Sequence, residues 1–83
     1  MEITFKMYAS LAKYLPSDAE RNIAKIEVES DVTVLELLAK YKVPADSVHL
    51  VLVNGVYIEP EDRDRPLLKE GDVLALWPPV AGG

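Results

Sequence analysis

The last seven residues of the chain combine features that suit chemistry at a free carboxyl terminus. They are Trp77, Pro78, Pro79, Val80, Ala81, Gly82 and Gly83. Two successive prolines favour an extended backbone, so we expect residues 78–83 to project from the folded domain as a tail. Six extended residues span about 20 Å, at roughly 3.3 Å each. Because glycine lacks a Cβ atom, an end made of two glycines can enter a narrow channel. The glycines also leave the terminal carboxylate sterically open, so we expect the α-carboxylate of Gly83 to be the reactive group.

The free carboxylate of Gly83 is a poor acyl donor and needs activation. The chain has no Walker-type phosphate loop, so we expect a separate enzyme to use ATP and form an acyl-adenylate. The activated carbonyl would accept sulfide to give a thiocarboxylate, or an amine to give an amide. ATP is thus expected on the activating enzyme, with no cofactor bound permanently here. Without cysteine, the side chains offer no thiol for catalysis or persulfide carriage.

The other candidate residues favour structural roles, and no metal site is predicted. His49 is the single histidine of the chain, which predicts an ordinary strand residue. In residues 59–66, the carboxylates Glu61, Asp62 and Asp64 alternate with arginines between two prolines, a pattern that predicts a solvated loop. Trp77 fits two roles equally well, as a core residue or as an aromatic anchor of an interface beside the tail.

The composition is that of one small domain. With 83 residues, the chain has no room for a deep cleft between two lobes, so chemistry is expected to be shared with a partner. A net charge of −5 is the wrong sign for a nucleic-acid surface. The amino terminus has no signal-peptide pattern, and no segment reaches the roughly 18 apolar residues of a membrane span, so we expect a cytoplasmic protein.

The amino-terminal half predicts two strands. Residues 2–8 alternate in polarity, which is typical of a half-buried strand. Residues 9–15 contain good helix formers and predict a short helix that Pro16 ends. After the polar loop of residues 17–22, residues 24–29 alternate again, and we expect this second strand to pair with the first.

A capping box marks the start of the main helix. In residues 33–36, the Thr33 hydroxyl is placed to accept from the Glu36 amide while the Glu36 carboxylate accepts from the Thr33 amide, with Val32 and Leu37 at the staple positions. We expect the helix to run until Pro44 closes it. Its apolar stripe is predicted to consist of Val34, Leu35, Leu38, Ala39 and Tyr41.

The carboxyl-terminal half predicts three more strands. Residues 48–53 and 56–58 flank Asn54 and Gly55, the two-residue signal of a type I′ hairpin. Residues 73–77 form the last strand, because the following prolines cannot donate to a sheet.

Packing rules complete the predicted fold. Leu67 and Leu68 are expected to return to the core ahead of a turn at residues 70–72. The first and last strands are both apolar, and we expect them to lie side by side and parallel at the centre of a mixed sheet. This places one domain at residues 1–77 and an extended tail at residues 78–83.

Several segments spread along the chain together resemble a known family. They are residues 5–11, 33–38, 53–55 and 67–73. The most specific is the ending Trp-Pro-Pro-Val-Ala-Gly-Gly of residues 77–83. The chain resembles the ubiquitin-like β-grasp sulfur carriers, the superfamily of molybdopterin-synthase small subunits (MoaD) and thiamine-thiazole sulfur carriers (ThiS). The resemblance implies an α+β fold with a mixed five-stranded sheet packed on one main helix and a flexible Gly-Gly tail.

The same resemblance implies a cycle of activation and transfer. An E1-like adenylating enzyme (MoeB/ThiF type) would activate Gly83, which becomes a thiocarboxylate. The tail would then enter the large catalytic subunit (MoaE type) of a heteromeric molybdopterin synthase. The catalytic lysines would belong to that large subunit, so the resemblance implies that this chain alone is not an enzyme.

Two departures from the family pattern leave alternatives open. Trp77 replaces the more usual Phe, and residues 43–55 look closer to the thiamine-type carriers. One alternative is a sulfur carrier for a tungsten pterin, for thiamine thiazole or for tRNA thiolation. The others are a ubiquitin-like protein modifier and a non-conjugating interaction module.

Overall fold

Five strands and one α-helix form the described part of the chain, residues 1–79 of the computed structural model. The strands are β1 (Glu2–Met7), β2 (Ile23–Glu27), β3 (Leu50–Val53), β4 (Val56–Tyr57) and β5 (Val73–Trp77). The helix α1 (Val34–Lys40) connects β2 to β3, and short 3-10 turns occupy Ala9–Tyr14, Ala45–Ser47 and Pro60–Asp62. The predicted strands are all present, with ends that shift by no more than two residues.

The strands form one mixed sheet in the order β2-β1-β5-β3-β4. β1 and β5 are parallel, with Phe5 opposite Leu74, and the other neighbouring pairs are antiparallel. The predicted parallel central pair is therefore confirmed. β5 has hydrogen-bonded neighbours on both sides, so the strand that leads to the carboxyl terminus is held inside the sheet.

One face of the sheet packs on α1 and encloses the core. Phe5 is fully buried, and its ring meets Tyr41 edge-on, with the ring centroids 5.5 Å apart. Burial, with a smaller contribution from the charge of Asp18, raises the pKa of Tyr41 above its ordinary value of 10.0, so this phenol stays neutral at physiological pH. The largest fully buried side chains are Ile3, Phe5, Met7, Leu11, Val34, Leu37, Val51, Leu74 and Leu76.

The capping box at the start of α1 is confirmed. Thr33 Oγ1 accepts from the Glu36 amide at 3.1 Å, and Glu36 Oε1 accepts from the Thr33 amide at 2.9 Å. Leu37, the residue predicted at the staple position, is buried together with Val34 and Leu38. Two members of the predicted apolar stripe are wrong, because Leu35 and Ala39 are exposed. Residues three and four positions after Val34 face the sheet, and the helical rotation turns Leu35 and Ala39 away from it.

The end of α1 also differs from the prediction. Lys42 has a left-handed backbone, with φ of +61°, and donates its amide to Ala39, while the Val43 amide donates to Leu38 at 2.8 Å. These two hydrogen bonds form a Schellman motif, and Val43 is buried beside it. The helix is therefore ended by the left-handed residue and not by Pro44.

The predicted hairpin is confirmed. The prediction that Leu67 and Leu68 return to the core is confirmed for one of the two. Asn54 and Gly55 have φ of +52° and +82°, the positive values that a type I′ turn requires. Of the two leucines expected in the core, Leu68 is buried and Leu67 is 37% exposed. The turn at residues 70–72 places Gly71 at a φ of +82°. Among residues 1–79, no helix is long and apolar enough to cross a membrane.

Candidate functional site

The carboxyl end of β5 is where the predicted tail leaves the sheet. Trp77 is the last strand residue, and its carbonyl accepts from the His49 amide at 2.8 Å. Pro78 and Pro79 follow and have no amide hydrogen, so neither can donate to the sheet. The remaining predicted tail residues, Val80, Ala81, Gly82 and Gly83, lie outside the described residues.

Trp77 stands at the boundary between core and surface. It is half-buried, and its ring stacks on Tyr8 with the centroids 4.6 Å apart and the planes 14° from parallel. The Tyr8 amide donates to the Leu76 carbonyl. Neither predicted role of Trp77 is eliminated: one ring face is used inside the domain, and the side chain stays partly accessible.

Tyr8 is a residue of the site that sequence reasoning missed, since it was treated only as the outward end of β1. The register of the parallel strands β1 and β5 is the signal that could have placed Tyr8 in the site. Met7 lies opposite Leu76, so one further step places Tyr8 beside Trp77. That register becomes visible only once β1 and β5 are known to be neighbours.

An apolar surface continues from Trp77 across the sheet face that points away from α1. Trp77 lies opposite Leu50, Ala75 opposite Leu52, and Leu52 opposite Tyr57, so these five side chains adjoin one another. We call this set the apolar open face. Leu50 and Leu52 are half-buried and Tyr57 is 42% exposed. Ala75 is only 7% exposed, so the accessible part of this face comes from Trp77, Leu50, Leu52 and Tyr57. A contiguous apolar surface of this kind is a candidate site of protein contact.

Arg63 corrects the prediction that residues 59–66 form a plain solvated loop. Its side chain is only 7% exposed. Nε donates to the Ile58 carbonyl at 3.1 Å, and Nη2 donates to the His49 carbonyl and to Tyr57 Oη, both at 3.4 Å. The alternating charges of residues 59–66 do not indicate this burial, because backbone carbonyls and the Tyr57 hydroxyl, not carboxylates, satisfy the guanidinium.

The hydrogen bonds of Arg63 link the loop to the site. His49 accepts from Arg63 through its carbonyl and donates to Trp77 through its amide, so the guanidinium binds the residue whose amide holds the end of β5. The Arg63 carbonyl also accepts from the Leu35 amide at 3.1 Å, which satisfies a free donor at the start of α1.

The remaining candidate residues, His49 and the carboxylates of residues 59–66, do not form a catalytic or metal-binding group. The His49 side chain is exposed just before β3. Asp62 pairs with Arg65 at 3.4 Å on the surface, and within residues 1–79 no group of three His, Asp or Glu side chains is arranged to hold a metal ion. A broad surface concavity lines the β2 edge, next to Arg21 and Lys25, two strands away from β5.

A mixed five-stranded sheet with a parallel central pair, packed on one main helix, defines a ubiquitin-like β-grasp protein. The model of the ThiS family matches residues 15–83. The chain therefore belongs to the ThiS family, and it is a sulfur carrier of the MoaD/ThiS type.

Similar proteins include both cofactor-synthesis subunits and modifiers. The molybdopterin synthase sulfur carrier subunit of Drosophila melanogaster is 40% identical over 63 residues, covering 70% of this chain and 69% of its own. SAMP1 of Haloferax volcanii, small archaeal modifier protein 1, is 26% identical over the whole of both chains with a TM-score of 0.67. In the complex of subunits 1 and 2 of molybdopterin-converting factor from Helicobacter pylori, the matched chain is 21% identical, with full coverage of both chains and a TM-score of 0.61, a likeness of fold.

Proposed function

We propose that this chain carries sulfur as a thiocarboxylate on Gly83 and donates it in the synthesis of molybdopterin, for a molybdenum or tungsten cofactor. The observation that carries the proposal is the end of β5. Trp77 is fixed by the Tyr8 ring and the His49 amide, and a Pro-Pro pair follows at once. The name of the Drosophila melanogaster relative supports molybdopterin as the product.

Activation of Gly83 requires a second protein. The terminal carboxylate oxygen attacks the α-phosphorus of ATP, and pyrophosphate leaves as the acyl-adenylate forms. Sulfide then attacks the carbonyl carbon, AMP leaves with the bridging oxygen, and a thiocarboxylate remains. An E1-like adenylating enzyme supplies the ATP site. Because this step consumes ATP, we place it in the cytoplasm.

Transfer requires a channel that the tail enters while the domain stays outside. The tail begins at a fixed point, since Trp77 is bonded inside the sheet, and its six residues reach about 20 Å. Within residues 1–79, the apolar open face is the surface that continues from this point, so we propose that the large catalytic subunit of molybdopterin synthase docks there. The subunit pair in the Helicobacter pylori complex supports such an assembly.

The proposal is tested by the intact mass of the protein after incubation with ATP, a sulfide source and a candidate E1-like enzyme. We expect the mass change of one oxygen atom replaced by sulfur, located at Gly83 by fragmentation. The same incubation without ATP is the control. An unmodified terminus, obtained with an enzyme that adenylates another carrier, would contradict the proposal.

A second candidate function is ubiquitin-like modification of other proteins, which the full-length likeness to SAMP1 favours. The two functions share the adenylate and differ in the acceptor. A modifier leaves Gly83 in isopeptide linkage to lysines of other proteins, visible as higher-mass species on a blot. A carrier for thiamine thiazole or tRNA thiolation would instead form the thiocarboxylate and fail to supply molybdopterin in a reconstituted synthase.

Trp77→Ala is expected to weaken binding of the large subunit by about 2 kcal/mol or more, because aromatic residues dominate interface energies. Titration calorimetry measures the affinity, and thermal unfolding measures any loss of stability from the broken stack with Tyr8. Trp77→Phe should restore most of the affinity. Val56→Ala is the matched control, because Val56 is 63% exposed on β4 and outside the apolar open face. Unchanged affinity of Trp77→Ala would leave Trp77 with a role in the fold alone.

A further inference from the structure

The turn between β3 and β4 contains an asparagine whose side chain is bound to the start of β5. Asn54 Nδ2 donates to Asp72 Oδ1 at 2.9 Å, and Asn54 Oδ1 accepts from the Val73 amide at 2.9 Å. The other carboxylate oxygen of Asp72 accepts from the Lys69 amide at 2.8 Å. We call the two bonds of the Asn54 side chain the turn clamp.

Asn54 is followed by glycine, and this order makes its side chain chemically labile. The Gly55 nitrogen can attack Cγ of Asn54, so that a nitrogen–carbon bond forms and ammonia leaves. Water then opens the cyclic imide to aspartate or isoaspartate. Gly55 has no side chain to hinder the attack, and both residues are exposed.

The turn clamp opposes this reaction in the folded protein. Attack requires Cγ of Asn54 to swing toward the Gly55 nitrogen, and that movement breaks the hydrogen bonds to Asp72 and Val73. The leaving nitrogen is the same Nδ2 that donates to Asp72. Formation of the cyclic imide at Asn54 therefore requires a local opening of the turn first.

We propose that Asn54 is a site of spontaneous deamidation, gated by the turn clamp, and that its conversion irreversibly weakens the attachment of the β3–β4 turn to β5. The backbone bond from the Asn54 amide to the Val73 carbonyl remains after conversion. The product has a carboxylate where the amide donor stood, directly against the carboxylate of Asp72. One hydrogen bond is lost, and repulsion between like charges replaces it. The lost bond ends on Asp72, the residue just before Val73, where the strand that ends at Trp77 begins.

The rate test uses the full chain held in mildly alkaline buffer at elevated temperature, with peptide mapping by mass spectrometry. The chain has two asparagines, and Asn22 precedes the branched Ile23, so Asn22 is an internal control. We expect conversion at Asn54, several-fold faster in Asp72→Ala, and a wild-type rate in Asp64→Ala, which changes an exposed loop carboxylate. Equal rates for wild type and a folded Asp72→Ala, or conversion confined to Asn22, would overturn the gating.

The consequence is tested on the product itself. Asn54→Asp is expected to lower the melting temperature at neutral pH, because it removes the amide donor to Asp72 and sets two carboxylates against each other. Combining Asn54→Asp with Asp72→Asn exchanges amide and carboxylate, restores the hydrogen bond and should recover stability. If Asn54→Asp is as stable as wild type at neutral pH, conversion does not weaken the attachment of the turn to β5.

Discussion

Gly82→Val is expected to abolish sulfur transfer while leaving the free energy of unfolding almost unchanged. A β-branched side chain at the penultimate position would obstruct a channel that fits glycine, and it would restrict the backbone next to the reactive carbonyl. Among the described residues the buried core lies between Ile3 and Leu76, and we expect the fold not to depend on position 82. Transfer is measured as product formed per thiocarboxylate with the large subunit, and stability by urea denaturation.

The control for this variant places the same valine elsewhere. Glu61→Val adds an apolar β-branched side chain to the exposed loop and should transfer sulfur at the wild-type rate. Mass spectrometry before transfer shows whether Gly82→Val fails at activation or at delivery. Normal transfer by Gly82→Val would refute the threading of the tail, and a large loss of stability would mean that the tail packs on the domain.

Arg63→Met is expected to lower the free energy of unfolding by about 2–3 kcal/mol, because it removes the donor of three partly buried hydrogen bonds. Met keeps an unbranched stem that fills much of the same space, so the loss reports mainly on the hydrogen bonds to Ile58, His49 and Tyr57. Denaturation in urea measures the difference. Faster hydrogen exchange of the His49 amide, which donates to Trp77, would show that the end of β5 has loosened.

A neighbouring arginine provides the comparison. Arg65 lies two positions later, with an exposed side chain in a surface pair with Asp62, and Arg65→Met should change stability by no more than about 0.5 kcal/mol. If both variants are equally stable, the buried guanidinium contributes nothing to the fold. If Arg63→Met is unstable but the His49 amide exchanges normally, Arg63 does not support the end of β5.

The fold was largely predictable because its local signals agree with one another. Alternation located the strands, Asn54 and Gly55 located the hairpin, and the Thr33 box located the start of α1. The parallel pairing of β1 with β5 followed from their apolar character and the crossover rule. The helix face was misjudged at Leu35, since a short helix with apolar residues on several sides needs the sheet to show which side is covered.

The candidate site was less predictable, because its geometry depends on contacts between distant segments. The tail residues are distinctive in sequence, and their chemistry could be argued before the fold was known. Tyr8 and Arg63 could not be assigned that way. Tyr8 meets Trp77 only through the strand order, and Arg63 is separated from the carbonyl of His49 by fourteen positions.

The position of β5 between a parallel and an antiparallel neighbour has a mechanical consequence. A tail gripped inside another protein and pulled along its length would load the hydrogen bonds to β1 and β3 in shear, so that many must fail together. A pull at right angles to the strand, along the hydrogen bonds, would instead break them one at a time. If the tail threads into a partner as proposed, we expect the domain to dissociate as a folded unit when the tail is pulled from the channel, because the pull is spread over both neighbours of β5.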